Sequence, residues 1–390
     1  MHLVTNHHDP SHCFPETRSE LSVQVVGGWF PRQILGRFYA LCAYVRMVIA
    51  ALYLVLFGKS DAKLRDLDCV ILDQVSAPIP LLKLFSSCFT SKPNFRIIFY
   101  CHHPDLLLTD RKTVGKRLYR RVIDRIEEWT TGYADLILVN SRYTGQVFRQ
   151  TFETLADKAI HVLYPICNFR TLDEDCSSHI DEFNLVIRDD FHKKSEFVFL
   201  SVNRYERKKQ ISLAIKALNS LKSHLDPSKH KVKLIIAGGY DDRVAENIEY
   251  FDELTQLAND LDLQSSVLFL RSPPDFIKSL LLDYCDCVLY TPENEHFGIV
   301  PIEAMYKRRP VIACNSGGPL ETILDNQTGF LCSPTSKSFS QAMLKLVDQP
   351  NLAKEMGLNG RKSVVDRFSA RSFQSALNDL LQGNELKKFD

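Results

Sequence analysis

Short apolar runs rich in Val, Ile, Leu and Phe recur along the chain, and between them lie longer stretches whose apolar residues return every three or four positions. The first pattern predicts buried strands and the second predicts amphipathic helices. Their alternation predicts parallel sheets joined by crossover helices. In the first half the predicted strands are His2 to Thr5, Cys69 to Leu72, Arg96 to Tyr100, Leu136 to Val139 and His161 to Leu163. The rhythm returns at Phe197 to Val202, Lys231 to Ala237, Val267 to Leu270, Cys287 to Tyr290 and Pro310 to Ala313. Residues 168–194 are polar and without a clear period, which reads as a linker. The predicted organisation is an N-terminal α/β domain over 1–167, a linker over 168–194, a second α/β domain over 195–370 and a terminal helix and tail over 371–390. Two doubly wound domains place the expected ligand at the carboxyl ends of their strands.

One stretch stands apart from this alternation. Phe38 to Phe57 runs for 20 residues with Arg46 as its sole charge, long enough to span a bilayer. Arg46 sits near the middle, where insertion costs about 2.5–3.5 kcal/mol. A buried core helix, a helix lying in the membrane interface and a true span all remain open.

With 390 residues the chain exceeds the size at which one core keeps growing, in line with two domains. Its 48 basic and 47 acidic residues remove the electrostatic case for nucleic-acid binding. The 11 cysteines contain no CxxC pair, so reduced buried thiols are expected rather than a zinc site or disulfide framework. No apolar run near the start reads as a secretory signal. Asn326-Gln327-Thr328 is a glycosylation sequon, read here as a turn. No GxG occurs, which removes the dinucleotide fingerprint, and Gly58-Lys59-Ser60 lacks the earlier glycine of a P-loop.

The most informative segment is TPENEHFGIVPIEAMYKRRPVIACNSGGPLET, from Thr291 to Thr322. Pro301 suits a first helical turn, predicting a helix from about Val300 to Lys307 after a loop ending at Gly298. Free N–H groups at that helix start favour an anion such as a phosphate. Glu295 precedes the helix and Glu303 lies one turn inside it, so the two carboxylates can reach different parts of one ligand. Ser316, Gly317, Gly318 and Pro319 form a second glycine turn before a second short helix. Arg204 and Lys209, in SVNRYERKKQ, follow a predicted strand and could neutralise a diphosphate.

Together these segments resemble glycosyltransferase family 4, whose members pair an arginine and a lysine after one strand with an EX7E motif, the spacing of Glu295 and Glu303. Across nearly the whole chain, runs such as HHDPSHCF, LDQVSAPIPLL, FYCHHPDLLLT, RLYRRVIDRIEEWTTGYADLILVNSRYT and IIAGGYDDRVAENIEY are similar to the eukaryotic alpha-1,3/1,6-mannosyltransferases of dolichol-linked oligosaccharide assembly. The resemblance implies a GT-B fold, two Rossmann-like domains facing a cleft. It implies a retaining transfer of mannose from GDP-mannose to a dolichyl-diphosphate-linked, mannosylated chitobiose at the cytosolic face of the endoplasmic reticulum, with a membrane surface and other mannosyltransferases as partners. By the same resemblance Arg204 and Lys209 would hold the diphosphate, Glu303 the ribose and Glu295 the mannose hydroxyls. Backbone N–H groups around Phe297, Gly298 and Ile299 would support sugar and phosphate, and His102 would lie near the transferred sugar. Neither a metal nor another cofactor is expected.

Relatives of this kind normally carry a strand, a glycine-rich loop and a helix before the segment corresponding to His2 to Thr5, so the N-terminal domain is expected to lack its first βα unit. Two readings follow: a working mannosyltransferase, or a donor-binding isoform impaired in catalysis that acts as an interaction protein.

Overall fold

The computed structural model describes residues 2–10, 13, 15–34, 36–58, 60, 67–90, 92, 95–107, 113–187, 191, 196–226 and 228–382. The chain divides into two compact units, Met1–Leu163 and Tyr164–Asp390. In the first, the elements run β1 (His2–Thr5), α1 (Pro15–Ser19), β2 (Ser22–Val25), α2 (Tyr39–Phe57), β3 (Cys69–Asp73), α3 (Ile79–Leu84), β4 (Arg96–Cys101), α4 (Val114–Thr131), β5 (Leu136–Val139), α5 (Arg142–Thr151) and β6 (Ile160–Val162). The pairings between these strands are parallel, in two separate sheets: β1-β2, and β3-β4-β5-β6. The core sits on β4 and β5, whose Ile97, Phe99, Ile137 and Val139 are buried with Leu72, Phe89 and Phe148. Helix starts are fixed locally: Thr113 Oγ1 accepts from the Lys116 N–H and Ser141 Oγ from the Thr144 N–H, which satisfies donors the first turn leaves open.

The long apolar segment forms α2 and divides its faces. Cys42, Tyr44, Ala50, Ala51 and Leu54 are buried, whereas Leu41, Leu52, Leu56 and Phe57 are exposed. Arg46 turns inward: its Nη2 donates to the Asn6 carbonyl at 2.9 Å, and Asn6 Nδ2 donates back to the Arg46 carbonyl at 2.9 Å. By length and composition α2 suffices to cross a membrane.

In the second unit the elements are α6 (Arg170–Asp173), α7 (Ile180–Val186), β7 (Glu196–Val202), α8 (Ile211–Lys222), β8 (Lys231–Gly238), α9 (Ala245–Asp260), β9 (Val267–Arg271), α10 (Asp275–Tyr284), β10 (Cys287–Tyr290), α11 (Ile299–Tyr306), β11 (Val311–Cys314), α12 (Pro319–Thr322), β12 (Gly329–Cys332), α13 (Ser336–Asp348), α14 (Pro350–Phe368) and α15 (Ala370–Gln382). One parallel sheet runs β12-β11-β10-β7-β8-β9. Its two faces bury separate clusters: Phe199, Leu234 and Ile236 with α8 and α13 on one side, Leu200, Ile235 and Val288 with α10 and α11 on the other. Burial on both faces explains why these strands read as unbroken apolar runs.

Two short strands, β2 and β12, were not predicted: polar Ser22 and Gln24 interrupt the apolar pattern of β2, and β12 opens on Gly329. The segment read as a linker is folded in part: α6 and α7 bury Leu172 and Phe183 in the second unit's core. Acidic residues between these apolar positions hid the period. Residues 188–190 and 192–194 of that stretch lie outside the described residues, as do residue 195 and residues 383–390 of the predicted tail.

Candidate active site

The strand order of the second unit reverses at β7, which pairs with β8 on one side and β10 on the other. Loops leaving the carboxyl ends of β7 and β10 therefore diverge to opposite faces and leave a crevice between them, the usual ligand position in such sheets. Arg204 and Lys209 leave β7, and Glu295 leaves β10. The loops are tied together by three contacts. Lys209 Nζ pairs with Glu295 Oε2, Gln210 Nε2 donates to Glu293 Oε1 at 2.6 Å, and Thr291 Oγ1 donates to the Lys209 carbonyl at 2.7 Å. Lys209 and Glu295 are largely shielded, with side chains 13% and 22% exposed. An ammonium and a carboxylate held together away from water are a ready contact for a polar anionic ligand. Arg204 is 62% exposed and its Nη1 lies 2.9 Å from Glu206 Oε1. Glu206 also takes Lys208 Nζ at 3.0 Å, so it gathers two cations of the loop.

Gly298, with φ of 84°, caps α11, and the helix starts one residue before the predicted position, at Ile299. Pro301 is its third residue, where the missing N–H has no intrahelical partner to lose. The N–H groups of this first turn follow Gly298 directly. The Phe297 side chain points into the core, its ring centroid 5.8 Å from that of Tyr164 and 5.7 Å from that of Phe368. Ile299 is 47% exposed. Against this loop rests the second glycine turn: the Gly318 N–H donates to the Glu295 carbonyl at 2.7 Å, and the Asn294 N–H to Ser316 Oγ at 3.0 Å. A Cβ at Gly317, where φ is 65°, would lie 2.4 Å from the Glu295 carbonyl oxygen, and one at Gly318 would lie 2.2 Å from that of Phe297. Only glycines allow this approach, which fixes the backbone that carries Glu295.

Glu303 lies inside α11, its side chain 15% exposed and Oε1 2.7 Å from Lys278 Nζ of α10. Burial pushes its carboxyl pKa up, and Lys278 opposes that shift. Burial likewise lowers His296 and raises the Tyr290 phenol, beside Glu295, well above its ordinary value.

His102 belongs to the first unit, where β4 ends. Its Nε2 is 2.7 Å from Asp73 Oδ1 at the end of β3, and its ring centroid is 4.7 Å from that of Tyr100. Gln74, with φ of 64°, holds the loop: its Oε1 accepts from the His102 and His103 N–H groups at 2.9 and 3.3 Å. The loop continues into a buried acid, Glu127, which accepts from the Asp105 and Leu106 N–H groups at 2.8 and 3.2 Å. Burial raises Glu127 to about 7. Arg120, 3% exposed at its side chain, pairs with Asp105 at 2.8 Å and Asp124 at 3.1 Å.

Residues 184–363 match the family profile described as "Glycosyl transferases group 1", and residues 1–168 match "Glycosyltransferase Family 4". The Mus musculus alpha-1,3/1,6-mannosyltransferase ALG2 is 50% identical over 96% of this chain and 86% of its own length. The Homo sapiens protein of the same name is 48% identical over 96% and 86%, and the Dictyostelium discoideum one 44% over 97% and 90%. The chain belongs to the alpha-1,3/1,6-mannosyltransferase family. Among solved structures, it resembles sucrose-phosphate synthase from Thermosynechococcus elongatus, with a TM-score of 0.68, 18% identity, and coverage of 98% of this chain and 88% of that one. Anabaena Alr3699/HepE, solved in complex with UDP, gives a TM-score of 0.66, 19% identity, and coverage of 93% and 86%. These likenesses fix the fold as that of GT-B glycosyltransferases, two Rossmann-like units with parallel sheets.

Of the residues read from sequence, Lys209, Glu295, Phe297, Gly298, Ile299 and Glu303 gather on adjoining loops and one helix of the second unit, with Arg204 on the same loop as Lys209. His102 is placed in the first unit. Lys278, Glu206, Gln74 and Glu127 were missed. Each acts through a partner 21 to 29 residues away or through an unremarkable charged loop, and no motif marks them. Asp-x-Asp triplets occur at 66–68, 173–175 and 260–262. No group of three or more His, Cys, Asp or Glu is gathered for a metal among the described residues.

Proposed function

We propose that the chain transfers mannose, with retention, from GDP-mannose to a mannosylated chitobiose on dolichyl diphosphate, making the alpha-1,3 and alpha-1,6 additions of N-glycan precursor synthesis. The observation that carries this reading is the Lys209–Glu295 pair at the β7/β10 switch point, in a chain of this family. In this scheme Lys209 and Arg204 meet the diphosphate as it departs, joined by the N–H groups at the start of α11. Glu295 accepts from mannose hydroxyls and Glu303 from the ribose. His102 serves near the transferred sugar, with Asp73 fixing its ring. Charge developing on the leaving group is then met by protein cations, so neither a metal nor another cofactor is required. Turnover is expected to survive EDTA; strict dependence on a divalent ion overturns this part.

The acceptor places the reaction at the cytosolic face of the endoplasmic reticulum membrane, near other mannosyltransferases of the pathway. Attachment along the interface is supported by α2, whose single charged side chain turns inward to the Asn6 carbonyl while Leu52, Leu56 and Phe57 stay exposed. Next to it, α4 exposes Val114, Leu118 and Val122, each four residues from the last, flanked by exposed Arg117, Arg121 and Arg125. The two helices meet where the Leu41 N–H donates to Tyr119 Oη at 3.0 Å. Apolar residues rimmed by arginines suit an anionic lipid surface.

The test is transfer of radiolabelled mannose to a lipid-linked acceptor. Glu295→Ala and Lys209→Ala are each expected to lose about a hundredfold in rate, roughly 3 kcal/mol of transition-state stabilisation. The double variant is expected to be no slower than the worse single one, since the two groups act as a unit. Near-normal rates in both single variants refute the donor-site assignment, and a folded chain that binds GDP without any transfer supports the impaired-isoform reading instead.

A further inference from the structure

We propose that Lys278 is a positioning residue for the donor: it holds one oxygen of Glu303 and keeps that carboxylate ionised, leaving the other oxygen for the vicinal hydroxyls of the nucleotide ribose. The assignment rests on Glu303 being the ribose contact. Its grounds are geometric. Lys278 Nζ lies 2.7 Å from Glu303 Oε1, and the two side chains are only 27% and 15% exposed. Glu303 Oε2 is buried and has no hydrogen-bond partner. A buried carboxylate oxygen left empty is costly unless something else supplies a donor, and two adjacent hydroxyls supply two.

The remaining charged and titratable neighbours do not replace Lys278. Asp275, on the same helix α10, opposes ionisation of Glu303. The Cys167 thiol is pushed up to about 12, first by burial and then by Glu303 itself. The Tyr290 phenol on β10 is raised well above its ordinary value, mainly by burial and Glu295, so it stays neutral. Lys278 is therefore the charged group that favours the carboxylate. Without it the acid protonates at higher pH and loses the charge-assisted bonds that an ionised oxygen accepts.

The experiment measures binding of GDP and of 2′,3′-dideoxy-GDP by calorimetry across the range from mildly acidic to mildly basic, using the full chain, Lys278→Met, Lys278→Arg and Glu303→Gln. In Lys278→Met, GDP is expected to bind about tenfold more weakly at the acid end, the loss of one charge-assisted bond, and the acid midpoint is expected to move up by about one pH unit. Dideoxy-GDP affinity is expected to be the same in Lys278→Met as in the unaltered chain. Lys278→Arg, which preserves the cation without a buried vacancy, is expected to keep the midpoint. An unmoved midpoint in Lys278→Met, an equal loss for both nucleotides, or an Arg variant as weak as the Met variant overturns the proposal. Glu303→Gln separates the two readings. If it binds GDP normally, the ribose contact itself is wrong; if it weakens GDP alone while Lys278→Met leaves the midpoint in place, only the role of Lys278 fails.

Discussion

The two units share one architecture and differ in how the sheet supports the candidate residues. In the second, six strands form one sheet with β7 paired on both sides, and buried side chains cover both faces. Lys209 and Glu295 sit on loops whose strands are locked in this core, and each polar group finds its partner across the β7/β10 crevice. In the first, among the described residues, β1 and β2 form a separate ribbon, β3 pairs only with β4, and the buried cluster includes no residue of β1 or β2. All four residues of β1 are only partly buried. His102, which follows buried β4, is held by polar contacts to Asp73 and Gln74 and by the contact of its ring with Tyr100. Apolar burial is nondirectional and large, whereas one exposed hydrogen bond contributes little. The candidate residues of the second unit are thus tied across two loops of one doubly covered sheet, and His102 of the first rests on a hydrogen-bonded loop beside Tyr100.

The contrast is sharpest in stability. Leu234→Ala, at a fully buried position of β8, is expected to cost about 2–5 kcal/mol in denaturant unfolding. Val23→Ala, in half-buried β2, is expected to cost about 1 kcal/mol or less, because little apolar area is lost there. Amides of β1 and β2 should exchange with deuterium well before those of β7 and β8. Equal costs at the two sites, or equal protection, break the comparison.

A smaller effect comes from the acid beneath the His102 loop. Folding raises Glu127 from 4.5 to about 7, through burial, so the folded state binds the extra proton between these values. Stability of the first unit is therefore expected to fall as pH rises from about 4.5 to 7 and to level off above, by a few kcal/mol at most. Glu127→Gln should flatten that slope in thermal unfolding while leaving the second unit's transition in place. An unchanged slope removes Glu127 as its source.

The smallest stability change is expected at the surface. Replacing Leu52, Leu56 and Phe57 with serine should shift the protein from the membrane fraction to the supernatant with its unfolding temperature nearly unchanged, since all three are exposed on α2. Leu54, on the same helix, is buried, and its replacement by serine should instead destabilise the first unit. Retention of the triple variant on membranes overturns the attachment surface.

Much of this was legible in the chain. Apolar runs of strand length marked ten of the strands to within a residue or so, most plainly in the second unit, where strands buried on both faces leave a continuous signal. Glycine and proline marked the start of α11, and the EX7E spacing with the Arg204 and Lys209 loop picked out residues that the fold gathers at the ends of β7 and β10. Other features left no local trace. The Phe38 to Phe57 stretch left core and interface nearly level with a true span behind them, and only the packing of Arg46 against Asn6 showed which face turns inward. The folding of α6 and α7 onto the second unit was hidden for the same reason: burial of isolated apolar residues depends on what lies opposite.

Sequence alone thus determined most of the segments that become strands and helices and which residue types stand at their ends, since these follow from local spacing and backbone preference. Tertiary structure decided which ends come together. Placing β7 beside β10 brings Lys209 to Glu295 across 86 residues, and packing α10 against α11 brings Lys278 to Glu303 across 25. Strand order and helix packing are set by the collective burial of both sheet faces, a property of the folded whole that no window of sequence contains.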